Sequence, residues 1–345
     1  MPRSFPGKMS RYFGAVAALI LVTVTFAARV RSDTHREFEL RLERSVFLPG
    51  LLTSSSIVVA EDETIFAVDR KAATIYVYSA DGALVDSIGR PGNGPGELRS
   101  PRSLAVNDSL VVTGNAGGAF TLFRRDGRTR NSFVAQSLRH QSSKILFVGG
   151  KLMIGGFQDE GPNPRGDMIH LFDVEGNRQA SLFPLSGLEV EATGPRIVGV
   201  SMCDAGSGSF GAVQASEYRL IRFAKDLSAV EDSIILRPEY FRPRVSWDAS
   251  GSGGAPPIPD FDLINGLFCL PDGLLGVQVM TPRFLLSPLM HLDIIDPVGK
   301  RLVATITTDS LSFEGMDSKQ RLIRKEPAVD DEYGTTLEYY RLIQR

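Results

Sequence analysis

Histidine and cysteine are scarce in this chain, with four and two residues respectively among 345. A zinc site needs such ligands clustered at short spacing. Here His35, His140, His170 and His291 stand far apart, and neither H-E-x-x-H nor C-x-x-C occurs. Zinc chemistry is therefore not expected. A basic excess is missing too, since 38 basic residues face 40 acidic ones. Without surplus positive charge a run of phosphates goes unneutralised, so nucleic acid is not an expected partner. A G-x-S-x-G elbow is absent, which leaves a nucleophilic triad without its anchoring motif. Strong helical periodicity is lacking as well, because the apolar residues follow period two in runs of strand length. What remains is an ordinary globular composition, 43% hydrophobic and 23% charged, able to bury a sizeable core.

The N-terminus differs from the rest. Arg3, Lys8 and Arg11 precede an apolar run from Tyr12 to Ala28, the charge-then-apolar order of an export signal. Thr25 and Ala27 place small residues at −3 and −1 of a cleavage site after Ala27. The expectation is a signal peptide over 1–27, a short linker over 28–35 and a mature domain over 36–345. An uncleaved anchor is the competing reading, since about 17 apolar residues lie at the lower limit for spanning a bilayer. Contact with a membrane is expected only through this segment. No cysteine lies near residue 27 to carry a lipid. Export places the mature chain in the periplasm or outside the cell.

One unit recurs along the mature chain. Its clearest copy reads SSSIVVAED, TIFAVDR, TIYVYSADG, ALVDSIG between Ser54 and Gly89, four strand-like runs broken by turn residues. Further copies follow through SLAVNDS, SSKILFVGG, RIVGVSMCDAGSG and LINGLFCLPDG. The sixth copy supplies only three strands, LSFEGMDSKQ, RLIRKEPAV and TTLEYYRLI. The alternating stretch from Arg36 to Phe47 has no other partner and is expected to complete it. The fold class is thus all-β: a single six-bladed β-propeller with four-stranded blades, its ring closed by an N-terminal strand in the last blade.

At the first blade junction, GRPGNGPGELRSPRSLAV from Gly89 resembles the loop of NHL-type and related bacterial six-bladed propellers of the TolB-like superfamily. The resemblance implies the fold and a structural part for the loop's glycines. Some enzymes of this architecture, lactone hydrolases and amidating lyases among them, place metal ligands on inner strands around the channel. Their ligand sets have no residue-by-residue match here.

In four-stranded blades the turns between strands one and two and between strands three and four share one face of the disc. Here these are short, as at Asp81-Gly82, Asp126-Gly127, Glu175-Gly176 and Asp272-Gly273. The opposite face collects the long connections, and binding sites favour loops held by a rigid scaffold. The longest runs from Arg237 to Asp262 and joins two halves. RPEYFRPRVSWD offers Tyr240, Arg242, Arg244 and Trp247 for stacking and for binding carboxylates, and ASGSGGAPPIP reads as linker. This loop is either a flap that touches a ligand or a segment whose aromatics pin it to the disc. Asp159, Glu160, Arg165 and Asp167 form a charged cluster on another long loop, either solvated or holding a divalent cation through oxygen ligands. No other cofactor is expected. His170 and His291 occupy similar places in third strands and are read as blade packing. Cys203 and Cys269 lie near the ends of inner strands of consecutive blades; they pair where those strands converge, or stay as two buried thiols.

Two functions are compatible with this pattern. One is an exported cell-envelope binding or scaffolding propeller that engages a protein, peptide or glycan through the long-loop face. The other, by analogy of architecture alone, is a metal-dependent hydrolase or lyase with its site at the channel mouth.

Overall fold

A computed structural model of the protein describes residues 37–51, 54–135, 138–139, 144–158, 167–184, 200–206, 208–213, 218–243, 262–283, 287–309, 311–327 and 333–345. Those residues form six four-stranded antiparallel sheets, the blades of one propeller. The first strand, β1 (Phe38–Pro49), belongs to the last blade. Blade 1 is β2 (Ser54–Val59), β3 (Ile65–Asp69), β4 (Thr74–Tyr78) and β5 (Leu84–Ile88). A linker with β6 (Arg90–Pro91) and β7 (Glu97–Leu98) leads to blade 2, made of β8 (Ser103–Val106), β9 (Leu110–Gly114), β10 (Ala119–Arg124) and β11 (Thr129–Val134). After β12 (Leu138–Arg139), blade 3 takes β13 (Ile145–Val148), β14 (Lys151–Gly155), β16 (Asp167–Phe172) and β17 (Arg178–Pro184), with β15 (Phe157–Gln158) paired to β12. Blade 4 is β18 (Val200–Asp204), β19 (Ser209–Val213), β20 (Tyr218–Phe223) and β21 (Val230–Leu236). Blade 5 is β22 (Leu263–Cys269), β23 (Leu275–Thr281), β24 (Leu289–Asp296) and β25 (Arg301–Asp309). Blade 6 is β26 (Phe313–Met316), β27 (Arg321–Pro327) and β28 (Gly334–Gln344), completed by β1. One 3-10 turn, Pro271–Gly273, is the only helical element among the described residues.

The sequence of each strand follows from its place in the blade. The second strands of blades 1 and 2, IFAVD and LVVTG, are buried along their whole length because neighbouring blades cover both faces. The outer strand β5, LVDSI, is exposed except at Ile88. Six hydrophobic clusters result, one at each joint between neighbouring blades. The joint between blades 1 and 2, for example, packs Phe66 and Ile75 against Leu104 and Phe123.

The ring closes as expected. β1 pairs antiparallel with β28 from Phe38 opposite Gln344 to Pro49 opposite Gly334. Val46 and Leu48 enter the joint with blade 1 beside Ile57, Tyr78 and Tyr339. Around the short turns there, Glu63 gathers Lys319 at 2.7 Å and Arg321 at 3.0 Å.

The Gly89 loop is filled by its own chain. Glu97 turns back so that its carboxylate accepts from the Gly94 amide at 2.8 Å and from Arg90 Nε at 3.1 Å. Gly96 has a φ of 76°, and a Cβ there would lie 2.1 Å from Thr129 Oγ1, so glycine is required on two grounds.

Candidate functional site

The longest connection joins blades 4 and 5, and the structure describes both of its ends, 237–243 and Asp262. They are tied together. The Asp262 carboxylate accepts from the Arg242 amide at 2.8 Å and from its Nη2 at 2.9 Å. In return the Asp262 amide donates to the Arg242 carbonyl at 3.0 Å. The Asp262 side chain is fully enclosed, whereas that of Arg242 is 48% exposed. Pairing of both backbone and side chains fixes the base of the loop and leaves one guanidinium half in solvent beside it.

Beneath this stem lies a buried polar node. Asp293, on the third strand of blade 5, has no exposure and accepts three hydroxyls. Tyr218 of blade 4 donates at 2.7 Å, Tyr240 of the stem at 2.5 Å and Thr305 of β25 at 2.6 Å. Burial raises the Asp293 pKa, and the three hydroxyl donors oppose that rise. Burial and the Asp293 charge together hold both phenols protonated, far above the ordinary tyrosine range. The Tyr240 ring stacks on His291 with centroids 4.0 Å apart, and His291 Nδ1 lies 2.9 Å from Thr307 Oγ1. Burial pushes the His291 pKa down, which keeps it neutral beside the ring. Phe241 adds an edge contact to Tyr218 at 5.1 Å. The node's acid and phenols are engaged with one another, so it is built to hold the stem to two blades.

The same joint carries a covalent link. Cys203 at the end of β18 and Cys269 at the end of β22 form a disulfide across a Cα separation of 5.7 Å. The alternative of two separate buried thiols does not hold in the structure: the inner strands of blades 4 and 5 converge within bonding range.

The other candidate residues divide by location. Tyr240, expected to offer a stacking surface to a ligand, stacks instead on His291. Arg242, expected to bind a carboxylate, binds that of Asp262. These two hold the described stem of the loop to the disc. Arg244 and Trp247 lie outside the described residues. In the charged cluster Asp159, Glu160 and Arg165 are outside them as well, while Asp167 is the first residue of β16, paired with Pro184. Burial raises the Asp167 pKa. His170 is fully buried in blade 3, between Ser181 Oγ at 2.9 Å and the Gly156 carbonyl at 3.2 Å. Among the described residues no group of three or more His, Cys, Asp or Glu is arranged to hold a metal.

Sequence reading missed Asp293, Tyr218, Asp262 and Thr305. A signal for one of them existed. LMHLDIID is a third strand with a carboxylate where its counterparts in blades 1 and 4 have Tyr76 and Ile221, opposite a recurring outer-strand hydroxyl: Ser87, Ser233 and Thr305. A charge at a buried register position demands partners.

Comparisons with known proteins agree with this architecture. Residues 51–116 match the family model DUF5128, described as a 6-bladed beta-propeller. The chain is similar to bacterial six-bladed propellers. A solved member of the DUF4221 family from Bacteroides vulgatus superposes with a TM-score of 0.62 at 9% identity, over 90% of this chain and 99% of its own. A protein from Bacteroides fragilis described as exported gives a TM-score of 0.58 at 14% identity, over 88% of this chain and 95% of its own. At such identities the likeness concerns the fold. No curated protein matches the chain. Among the described residues no helix is long and apolar enough to cross a membrane; the apolar run from Tyr12 to Ala28 is outside them.

Proposed function

We propose that this protein is an exported binding or scaffolding propeller of the cell envelope, engaging a protein or peptide, with a glycan as second choice, through its long-loop face. The observation that carries this reading is the stem at Arg242 and Asp262. A connection far longer than a blade junction requires is anchored at its base by partly buried hydrogen bonds between Arg242 and Asp262, where the Arg242 side chain is 48% exposed. A guanidinium of that kind suits a carboxylate or an acidic peptide. Export is supported by the N-terminal charge-then-apolar pattern and by the description of the Bacteroides fragilis relative in fold. The Gly89 loop supports kinship with NHL-type propellers.

The test replaces 244–261 with a short Gly-Ser linker and keeps 237–243 and Asp262, because those residues belong to the disc. Affinity capture from envelope extracts is then compared between the two forms, with folding checked by circular dichroism. The expected outcome is loss of the main captured partner. An unchanged partner set would overturn the loop's role.

A further inference from the structure

Lys144 immediately precedes β13, the inner strand of blade 3. Its Nζ lies 5.2 Å from the ring centroid of Phe268, on the inner strand of blade 5. Its strongest charge neighbour is Glu314, on the inner strand of blade 6. Blade 3 touches neither of those blades, since blade 4 stands between it and blade 5. Side chains from blades 3, 5 and 6 can approach one another only across the central channel. Lys144 therefore reaches into the channel, where it is intermediate in exposure.

The Phe268 ring is held in place by its own strand. It folds back over Gly266, where a Cβ would come within 2.9 Å of the ring. Glu314 is occupied, because its carboxylate pairs with Lys325 at 3.6 Å while Lys325 also donates to the Ser54 carbonyl at 2.9 Å. The Lys325 and Glu314 charges balance, and Lys144 is left over. Among the described residues it has no ion pair and no hydrogen-bond acceptor for its ammonium, only the face of Phe268. Enclosure by protein pushes its pKa down. An uncompensated charge in such surroundings costs stability, and a cost of this kind is retained where a side chain serves binding.

We propose that the central channel is a binding site for a small monocarboxylate whose carboxylate pairs with Lys144. Among the described residues one positive charge is left unbalanced, which calls for one negative charge. A doubly charged phosphate would add repulsion from Glu314. This site is separate from the loop 244–261, so either reading can fail without the other.

The purified mature protein is titrated with sodium benzoate, and with phosphate or chloride at matched ionic strength, by calorimetry and by thermal melting. The same is done for Lys144→Met and Lys144→Arg. Expected are binding of benzoate but not of phosphate, at least tenfold weaker affinity in Lys144→Met, and retention in Lys144→Arg. Without benzoate, Lys144→Met should melt at or above the wild-type temperature. Equal responses of wild type and Lys144→Met, or none from the wild type, would overturn the proposal. A lower melting temperature for Lys144→Met alone would assign Lys144 a structural role and overturn it as well.

Discussion

Two buried residues on third strands, His170 and Asp293, face hydroxyls on the adjacent outer strand and move stability with pH in opposite directions. His170 uses both ring nitrogens as a neutral imidazole, donating from Nε2 to the Gly156 carbonyl and accepting at Nδ1 from Ser181. Burial holds its pKa at about 4, against an ordinary value of 6.5. The folded state thus refuses a proton that the unfolded chain accepts below pH 6.5. Stability from this residue is complete above that pH and is lost as pH falls toward 4, by about 3 kcal/mol in all. Asp293 acts the other way: its raised pKa makes the folded state hold a proton more tightly, so its contribution favours low pH and fades as pH rises through the folded value. His170→Gln keeps one donor and one acceptor but cannot titrate. Urea unfolding of wild type and variant between pH 7 and 4 should show the wild type losing about 3 kcal/mol more than the variant. Parallel curves would mean that His170 takes up its proton as readily in the fold as in the unfolded chain.

At the scale of strands and loops, the joint between blades 4 and 5 has to tolerate the longest connection in the chain. Closing a longer connection costs more chain entropy, and this joint has both a disulfide and the Asp293 node across it. The bond between Cys203 and Cys269 spans 66 residues, a loop for which chain-entropy reasoning gives about 4 kcal/mol. Replacing both cysteines with serine should lower unfolding free energy by about 3 to 4 kcal/mol, and dithiothreitol should do the same to the wild type but not to the variant. A wild type indifferent to reductant would show that the two strands hold together without the bond. The free edges of the blades have their own protection. In β5, β11 and β21 the side chains of Asp86, Asn131 and Asp232 accept from the next residue's amide, at 2.7, 2.8 and 2.8 Å. A plugged amide is not available to another strand.

For the whole molecule, the ring was legible because its signal is repeated: period-two runs and turn residues recur in every blade, and the shortage of one strand at the C-terminus matched the surplus at Arg36–Phe47. The candidate site was legible only in part. Tyr240 and Arg242 stood out by composition, but their partners Tyr218, Asp262 and Asp293 come from three other segments, and only the closed ring brings blades 4 and 5 together around them. Lys144 was invisible for the same reason, since its neighbours belong to non-adjacent blades. Closure itself can be tested. Leu48, at the end of β1, has no exposure and packs with residues of blades 1 and 6. Leu48→Ala should cost about 3 kcal/mol through the cavity it leaves without changing the size of the particle in solution. Deleting residues 38–49 should act differently, because it strips the partner from β28 along the whole register from Gly334 to Gln344. The uncovered edge is a template for another chain, so size-exclusion chromatography should show oligomers or aggregate where Leu48→Ala elutes as the wild type does. A deletion variant that unfolds cooperatively and elutes no larger than the wild type would mean that five complete blades and three strands suffice, and that β1 is an accessory to the ring.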